Sequence, residues 1–364
     1  MAKVLFQQQS ASPSYETLTR DILKTEPDLI RESTKTIKDG TPLPLTEMTE
    51  VMDSIMEGEC KDAEIKAFLV ALHEKGETSD ELAGAAISLR KHMTSIRTYR
   101  ENVVDTCGTG GGKTGTFNIS TAAALVAASA GASVAKHGNR RSTSLTGSAD
   151  VLEELGVNVD CEINVVEKCL NTLGICFCYA PLFHPSVKNV SKIRKKLNHP
   201  TIFNLIGPLC NPANAPFQLL GAGLSDSRPI LAETLAKLGT ERSVVVHSRD
   251  GLGEISVSDV TDVSEVLGEQ VRQGELAPVD FGLELSNLKL LRANSPSESA
   301  DVIRRIIEGQ LGPQRDIVVA NAAAALWISG ITDGLLAGAE RCARAIDNGQ
   351  TKEILAELVE MTNK

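Results

Sequence analysis

A chain of 364 residues with 42% apolar content is long enough for two domains and a sizeable core. Its formal net charge of −10 argues against nonspecific binding to nucleic acid or to an anionic membrane surface. No apolar run reaches the roughly 18 residues needed to span a bilayer. Eight cysteines without a CxxC pair or zinc-ligand spacing read as thiols of a reducing cytoplasm.

In chain order, Met1 to Ser14 carries a short apolar patch and then Gln-Gln-Gln-Ser-Ala-Ser-Pro. Without a long apolar segment it reads as a disordered tail and not a signal peptide. Residues 15–100 read as a helical domain. Helices are expected near 16–24 and 46–57, with Pro42 and Pro44 in the intervening loop. A third places Ile65, Phe68, Leu69 and Leu72 at i, i+3, i+4 and i+7, and Gly76 stops it. Thr78-Ser79-Asp80-Glu81 forms a capping box for a fourth, in which Leu82, Ala86, Leu89 and Met93 share one face.

After residue 100 the pattern changes. Short β-rich runs (Val103-Val104, Ser133-Val134-Ala135, Ile175 to Tyr179, Gln218 to Ala222 and Ser243 to His247) alternate with helical ones at 121–130, 149–155 and 228–238. That alternation predicts an α/β sheet domain over residues 101–364. Within it, Cys176 and Cys178 fall on one face of a strand, which is a weak pointer to redox chemistry.

The chemistry concentrates between Asp105 and Asp150. Asp105-Thr-Cys-Gly108-Thr109-Gly110-Gly111-Gly112-Lys113 follows a short apolar strand, and Phe117-Asn118-Ile119-Ser120-Thr121 opens a helix. Glycines permit positive φ and close backbone approach, while a helix start offers unpaired N–H groups and the positive end of its dipole. Lys136-His137-Gly138-Asn139-Arg140 then follows the next strand and adds cationic charge. These three motifs together predict a pocket for a phosphorylated small molecule. Further on, Lys188 to Lys196 holds five cations in nine residues, which by pattern alone is a solvated basic face.

The order GTGG…FNIST…KHGNR…GSADVLEELG resembles anthranilate phosphoribosyltransferase. The resemblance continues through Ala180-Pro181, His184-Pro185, Lys188-Asn189-Val190, Thr201-Ile202-Phe203-Asn204, Gly207-Pro208-Leu209 and Asn211-Pro212-Ala213-Asn214. It extends to Pro278-Val-Asp280-Phe281-Gly282 and Asp316-Ile-Val-Val-Ala-Asn321, so it covers roughly residues 40 to 350. It implies a small discontinuous helical domain, with a second piece at about 187–204, plus a larger α/β sheet domain of the nucleoside phosphorylase/phosphoribosyltransferase class III type. It also implies a homodimer through the helical domain.

By the same resemblance Gly108, Thr109, Gly110, Gly111, Asn118, Ser120, Thr121 and Lys136 hold phosphoribosyl pyrophosphate. Ser120 and Glu254 hold Mg²⁺, and Lys136, Ser120 and Glu254 carry the catalysis. His137, Asn139 and Arg194 contact anthranilate, with Arg194 facing its carboxylate and Asn139 suited to the positive φ common in such turns. His184 matches a position near the acceptor channel, where a packing role fits equally well.

The sequence departs from the family pattern at four places. The family loop runs GTGGDG, but Gly112-Lys113 stands here, and Gly253-Glu254 replaces an Asp-Glu pair. Leu145 stands for a lysine and Thr143 for a serine. Ser120, Glu254 and pyrophosphate suffice for one Mg²⁺, whereas a second ion lacks its carboxylates. Two other readings stay open here: a relative using another aromatic acceptor, and a non-enzymatic nucleic-acid-binding or regulatory relative. Retention of Ser120, Lys136, Asn139, Arg194 and Glu254 weighs against the second.

Overall fold

The computed structural model describes residues 26–112, 114–141 and 146–364. The tail expected over 1–14 and the helix expected near 16–24 lie outside the described residues, as do Lys113, Thr143 and Leu145. Four helices come first: α1 (Glu26–Lys38), α2 (Leu45–Glu57), α3 (Asp62–Lys75) and α4 (Ser79–Lys91). Ile65, Phe68, Leu69 and Leu72 of α3 are buried, and Gly76 ends that helix at φ 85. At the start of α4 the Thr78 hydroxyl accepts from Glu81 N at 3.4 Å, and the Glu81 carboxylate accepts from Thr78 N at 2.9 Å. The same carboxylate is fully buried and also accepts from Leu43 N at 3.0 Å and the Lys75 ammonium at 2.8 Å. One side chain thus ties the start of α4 to the end of α3 and the loop before α2. Its burial is tolerable because every partner is in place.

Helix α1 is invisible to periodicity. Leu29, Ile30 and Ile37 are its only large apolar residues against the bundle. Ser33 and Thr34 are buried beside them through bonds to Glu47 and the Ile30 carbonyl, both at 2.6 Å.

Beyond residue 100 the chain runs through β1 (Val103–Gly108), α5 (Ile119–Ser129), β2 (Ser133–Gly138), α6 (Ser148–Glu154), α7 (Ile163–Leu173) and β3 (Ile175–Tyr179). After α8 (Ala180–Phe183), α9 (Lys188–Lys196) and α10 (Ile202–Ile206) come β4 (Phe217–Gly221), α11 (Ser227–Lys237), β5 (Arg242–Ser248), β6 (Thr261–Leu267) and β7 (Gln270–Leu276). The chain ends in α12 (Pro296–Ile307), α13 (Pro313–Ile328), α14 (Leu335–Asp347) and α15 (Gln350–Thr362).

The strands form one sheet in the order β3-β2-β1-β4-β5-β6-β7. The first five are parallel, as the βα alternation requires, and β5-β6-β7 is an antiparallel extension. Strand β7 escapes sequence reading because exposed polar residues such as Gln270, Arg272, Gln273 and Glu275 dilute it, and β6 because buried Thr261 and Ser264 stand among its apolar residues. The side chains alternate between two cores. Leu219, Val244 and Val246 face the layer of α5 and α13, while Leu220 and Val245 face α11 and the helical bundle. Helices α9 and α10 pack against α2, α3 and α4, and Val190, Ile193, Ile202 and Phe203 share the bundle's apolar cluster.

Chain direction across the sheet reverses at β1, which has β2 on one side and β4 on the other. In an open α/β sheet the crevice beyond the carboxyl ends of such strands is where ligands bind. The glycine loop after β1 opens into it.

In the bundle, α4 touches α2 at Gly84, where a Cβ would lie 2.4 Å from the Leu45 carbonyl oxygen and 2.9 Å from Met48 Cβ. Gly84→Ala should therefore cost about 1–2 kcal/mol, overpacking outweighing the better helix propensity of alanine. Urea unfolding measures it, and an unchanged or raised midpoint would contradict the close crossing.

Candidate active site

Glycine backbone builds the floor of the crevice. Gly108 pairs with Gly221 across β1 and β4, and Thr109 N donates to the Gly221 carbonyl at 2.9 Å. Gly223 N returns a bond to the Thr109 hydroxyl, also at 2.9 Å. A Cβ at Gly221 would stand 1.9 Å from the Gly253 carbonyl oxygen, and one at Gly223 would stand 1.8 Å from that of Gly110. The loops after β1, β4 and β5 therefore meet main chain to main chain, which only glycine permits. That contact brings the segment bearing Glu254 beside the phosphate-type loop. Gly112, where the family pattern has a carboxylate, faces the same segment: its Cβ would lie 4.0 Å from the Gly251 carbonyl oxygen.

Lys136 reaches this floor from β2. It is buried, and its ammonium donates to the Thr106 carbonyl at 2.5 Å and the Ser120 hydroxyl at 3.2 Å. These bonds use two of its three donors. Burial lowers the lysine's proton affinity first; Asp105, then Cys107 and Glu254, act against it. Burial likewise pushes the Asp105 carboxyl up, with Lys136 pulling the other way. Asp105 Oδ1 accepts from His137 N at 3.1 Å, while its Oδ2 is buried without a partner among the described residues. Half-buried Glu254 is pushed up to about 7, by desolvation first, with Lys136 opposing and Asp250 reinforcing. The cluster is a cation with more carboxylate around it than it can bond directly.

Asn118 begins α5. Its side-chain oxygen accepts from Thr146 at 2.5 Å and Ser299 at 3.3 Å, so the helix start is anchored to α12. The Thr121 hydroxyl is buried without a partner among the described residues. Thus Gly108 to Gly111, Ser120, Lys136 and Glu254 meet at one place, with Asn118 and Thr121 on the adjoining helix turn.

Adjacent strand residues project to opposite faces, so Lys136 meets α5 while His137 meets His184. The two imidazoles share a contact, Nε2 to Nε2, at 3.3 Å, and both are buried. Burial holds His137 down to about 3, helped by His184, and holds His184 down to about 4. Both are neutral at pH 7. Asn139 is exposed, and its carbonyl accepts from Ala149 N at 3.2 Å and the Ser148 hydroxyl at 3.3 Å. It does not take positive φ; among described non-glycine residues only Asn102 and Asn214 do. Its main chain is held instead by those bonds to the start of α6. Arg140 is turned away onto Glu153 and Tyr179.

Arg194 lies apart from this cluster on α9. Its guanidinium is half-buried 5.1 Å over the Phe203 ring, and burial lowers its proton affinity. No carboxylate among the described residues pairs with it. Lys192, Lys195 and Lys196 are exposed on the same helix, as a solvated face requires. Sequence reading missed Thr106, Gly221 and Gly223, whose parts are played by main chain and carry no side-chain signature.

This fold and site define a class. Residues 100–352 match the model of the glycosyl transferase family a/b domain, and residues 31–93 match its helical bundle domain. The chain belongs, within it, to the anthranilate phosphoribosyltransferase family. It is 45% identical over 321 residues to the anthranilate phosphoribosyltransferase of Rhodopirellula baltica, covering 88% of this chain and 94% of that one. The crystal structure of the Thermus thermophilus anthranilate phosphoribosyltransferase matches with a TM-score of 0.85 and 36% identity, over 91% of this chain and 99% of that one. The Saccharomyces cerevisiae enzyme, in complex with phosphoribosyl pyrophosphate and Mg, matches at 0.85 with 26% identity, over 92% and 98%.

The histidine pair makes acid stability a readout of the site. A histidine whose folded proton affinity lies below its usual 6.5 contributes stability in full above pH 6.5 and loses it as pH falls toward 4. For His184 alone the loss between pH 6.5 and 5 is about 1.5 kcal/mol. His184→Gln should flatten the parent's decline by about that amount in urea unfolding, with Glu254, which works in the opposite direction, common to both proteins. Equal declines would contradict a buried, neutral pair.

Proposed function

We propose that this protein transfers the phosphoribosyl group of phosphoribosyl pyrophosphate to anthranilate, giving N-(5-phosphoribosyl)anthranilate and pyrophosphate. The observation that carries the reading is a buried Lys136 at a glycine-lined switch point, with a second half-buried cation, Arg194, lacking an anionic partner among the described residues. One suits a pyrophosphate and the other a carboxylate. The alternatives of another aromatic acceptor, or of a nucleic-acid-binding or regulatory role, have no observation of their own in their favour.

The amine of the acceptor forms its bond to the anomeric carbon as that carbon's bond to the pyrophosphate oxygen breaks, and the amine loses a proton. Positive charge grows on the sugar and negative charge on the leaving group. Lys136 and the N–H groups of Gly110, Gly111 and Ser120 neutralise the leaving group, those of Thr109, Asn118, Ile119 and Thr121 being already bonded within the protein. Their positions are set before substrate arrives, so no reorganisation is needed at the moment of reaction. Arg194 holds the acceptor carboxylate with paired hydrogen bonds, and His137 and Asn139 border the acceptor.

Ser120 and Glu254 fit Mg²⁺. They offer hard oxygens beside Lys136, and Glu254 is a carboxylate whose burial lacks a matching counter-charge. Among the described residues there is no group of three or more metal-type side chains. That suits an ion held through one carboxylate, water and substrate phosphates. Bound there, Mg²⁺ would screen the charge of the departing pyrophosphate. We further assign residues 15–100 with 187–204 to a helical domain through which two copies pair, and the protein to the cytoplasm. No described helix is long and apolar enough to cross a membrane.

Arg194→Ala should raise KM for anthranilate about 10- to 150-fold, the value of a charge-assisted pair, and leave KM for phosphoribosyl pyrophosphate nearly intact. Lys195→Ala and Lys196→Ala should be near neutral. Equal losses at all three would reduce Arg194 to part of a diffuse basic face. Metal stoichiometry is tested at Gly112, where a Cβ has free space, in contrast to Gly253, whose Cβ would press on the Ala222 carbonyl at 3.2 Å. The parent should bind one Mg²⁺ tightly in the presence of pyrophosphate, and Gly112→Asp should tighten a second. Two tightly held ions in the unaltered protein, counted by titration, would contradict this.

A further inference from the structure

Helix α13 is apolar for most of its length: Ile317, Val318, Val319, Ala320 and Ala322 to Leu326 are all buried. Asn321 sits in their midst at 2% exposure. A buried amide there is costly unless all its hydrogen-bonding capacity is used. Its oxygen accepts from Ile255 N at 3.0 Å, and its nitrogen donates to the carbonyls of Ile255 and Ile317, both at 2.8 Å. The side chain therefore engages both polar main-chain groups of Ile255, as a neighbouring strand would.

Ile255 directly follows Glu254. On the other flank, Asp250 Oδ1 accepts from Leu252 N at 3.2 Å, and its Oδ2 accepts from the Ser256 hydroxyl at 2.6 Å and from Ser258. The Asp250 bonds tie the loop only to itself. Asn321 ties it to the body of the protein. Helix α13 also packs against α5, which carries Ser120, and against β1 and β4. One rigid helix thus underlies both oxygen donors assigned to Mg²⁺.

We propose that Asn321 is a positioning residue that sets the Glu254 carboxylate relative to Ser120. The inference rests on the metal role given to Glu254 above. A polar residue serving only to satisfy a buried loop would change stability when replaced. A positioning residue changes metal binding, and only while Glu254 is there to be positioned.

The test is a Mn²⁺ titration in the presence of pyrophosphate, followed by electron paramagnetic resonance. It compares the parent, Asn321→Ala, Glu254→Gln and the double variant. Asn321→Ala should weaken Mn²⁺ binding roughly 10- to 100-fold, the usual cost of losing a group that orients a ligand. In the Glu254→Gln background the same change should add less than about 2-fold. Full Mn²⁺ affinity in Asn321→Ala, or losses that simply add in the double variant, would overturn the proposal alone. Full affinity in Glu254→Gln would remove the ligand role of Glu254 and the proposal with it. Should Asn321→Ala fail to fold, Asn321→Asp has the same size and still accepts from Ile255 N. It should show an intermediate loss in the same comparison, and full affinity there would again overturn the proposal.

Discussion

A single ammonium buried at the carboxyl edge of the sheet organises this protein. Taking Lys136 out of water costs several kcal/mol, and each hydrogen bond to its charge returns about 1.5–3 kcal/mol. Its two bonds, to the Thr106 carbonyl and the Ser120 hydroxyl, return an amount of the same order, yet burial remains the largest influence on its proton affinity. The remaining compensation comes from carboxylates held near but not bonded to it, Asp105 beneath and Glu254 beside. A multiply charged phosphate is the natural completion of such a site. The cost of burying the cation and the anion affinity proposed for the site would then have one origin.

The rest of the architecture keeps that cation in place at the edge of the crevice. The order reversal at β1 opens the crevice, and the glycines at 108, 221, 223 and 253 let three loops close its floor with main chain alone. Because those loops touch, positions 112 and 253 belong to one neighbourhood. The two carboxylates missing from the family pattern are thus missing from the same place. A loss shared between facing loops is a coherent change in charge at one place, and it is the basis of the single-metal site proposed above.

Much of this was legible in the sequence, because apolar periodicity and motif order are local signals. The capping box at Thr78–Glu81, the apolar stripe of α3 and the five parallel strands all follow from spacing that repeats within a few residues. Helix α1 did not show because buried Ser33 and Thr34 replace apolar residues on its inner face. Strand β7 did not show because its exposed polar residues break any clear alternation, and β6 because buried Thr261 and Ser264 sit among its apolar residues. The site divides the same way. Lys136 and Ser120 were readable as residue types, whereas the Thr106 carbonyl and the Gly221–Gly253 contact are tertiary facts about main chain. Asn139 suggested a left-handed turn on residue type alone, whereas it takes no positive φ and its carbonyl is bonded to Ser148 and Ala149 at the start of α6.

The claim that the Lys136 charge creates the phosphate site is tested most directly by titrating pyrophosphate with Mg²⁺ into the protein and into Lys136→Met by calorimetry. Circular dichroism would verify that the variant is folded. Loss of a buried, charge-assisted contact predicts affinity reduced at least about 10-fold and toward 150-fold. A folded Lys136→Met protein that binds pyrophosphate as tightly as the parent would contradict the account.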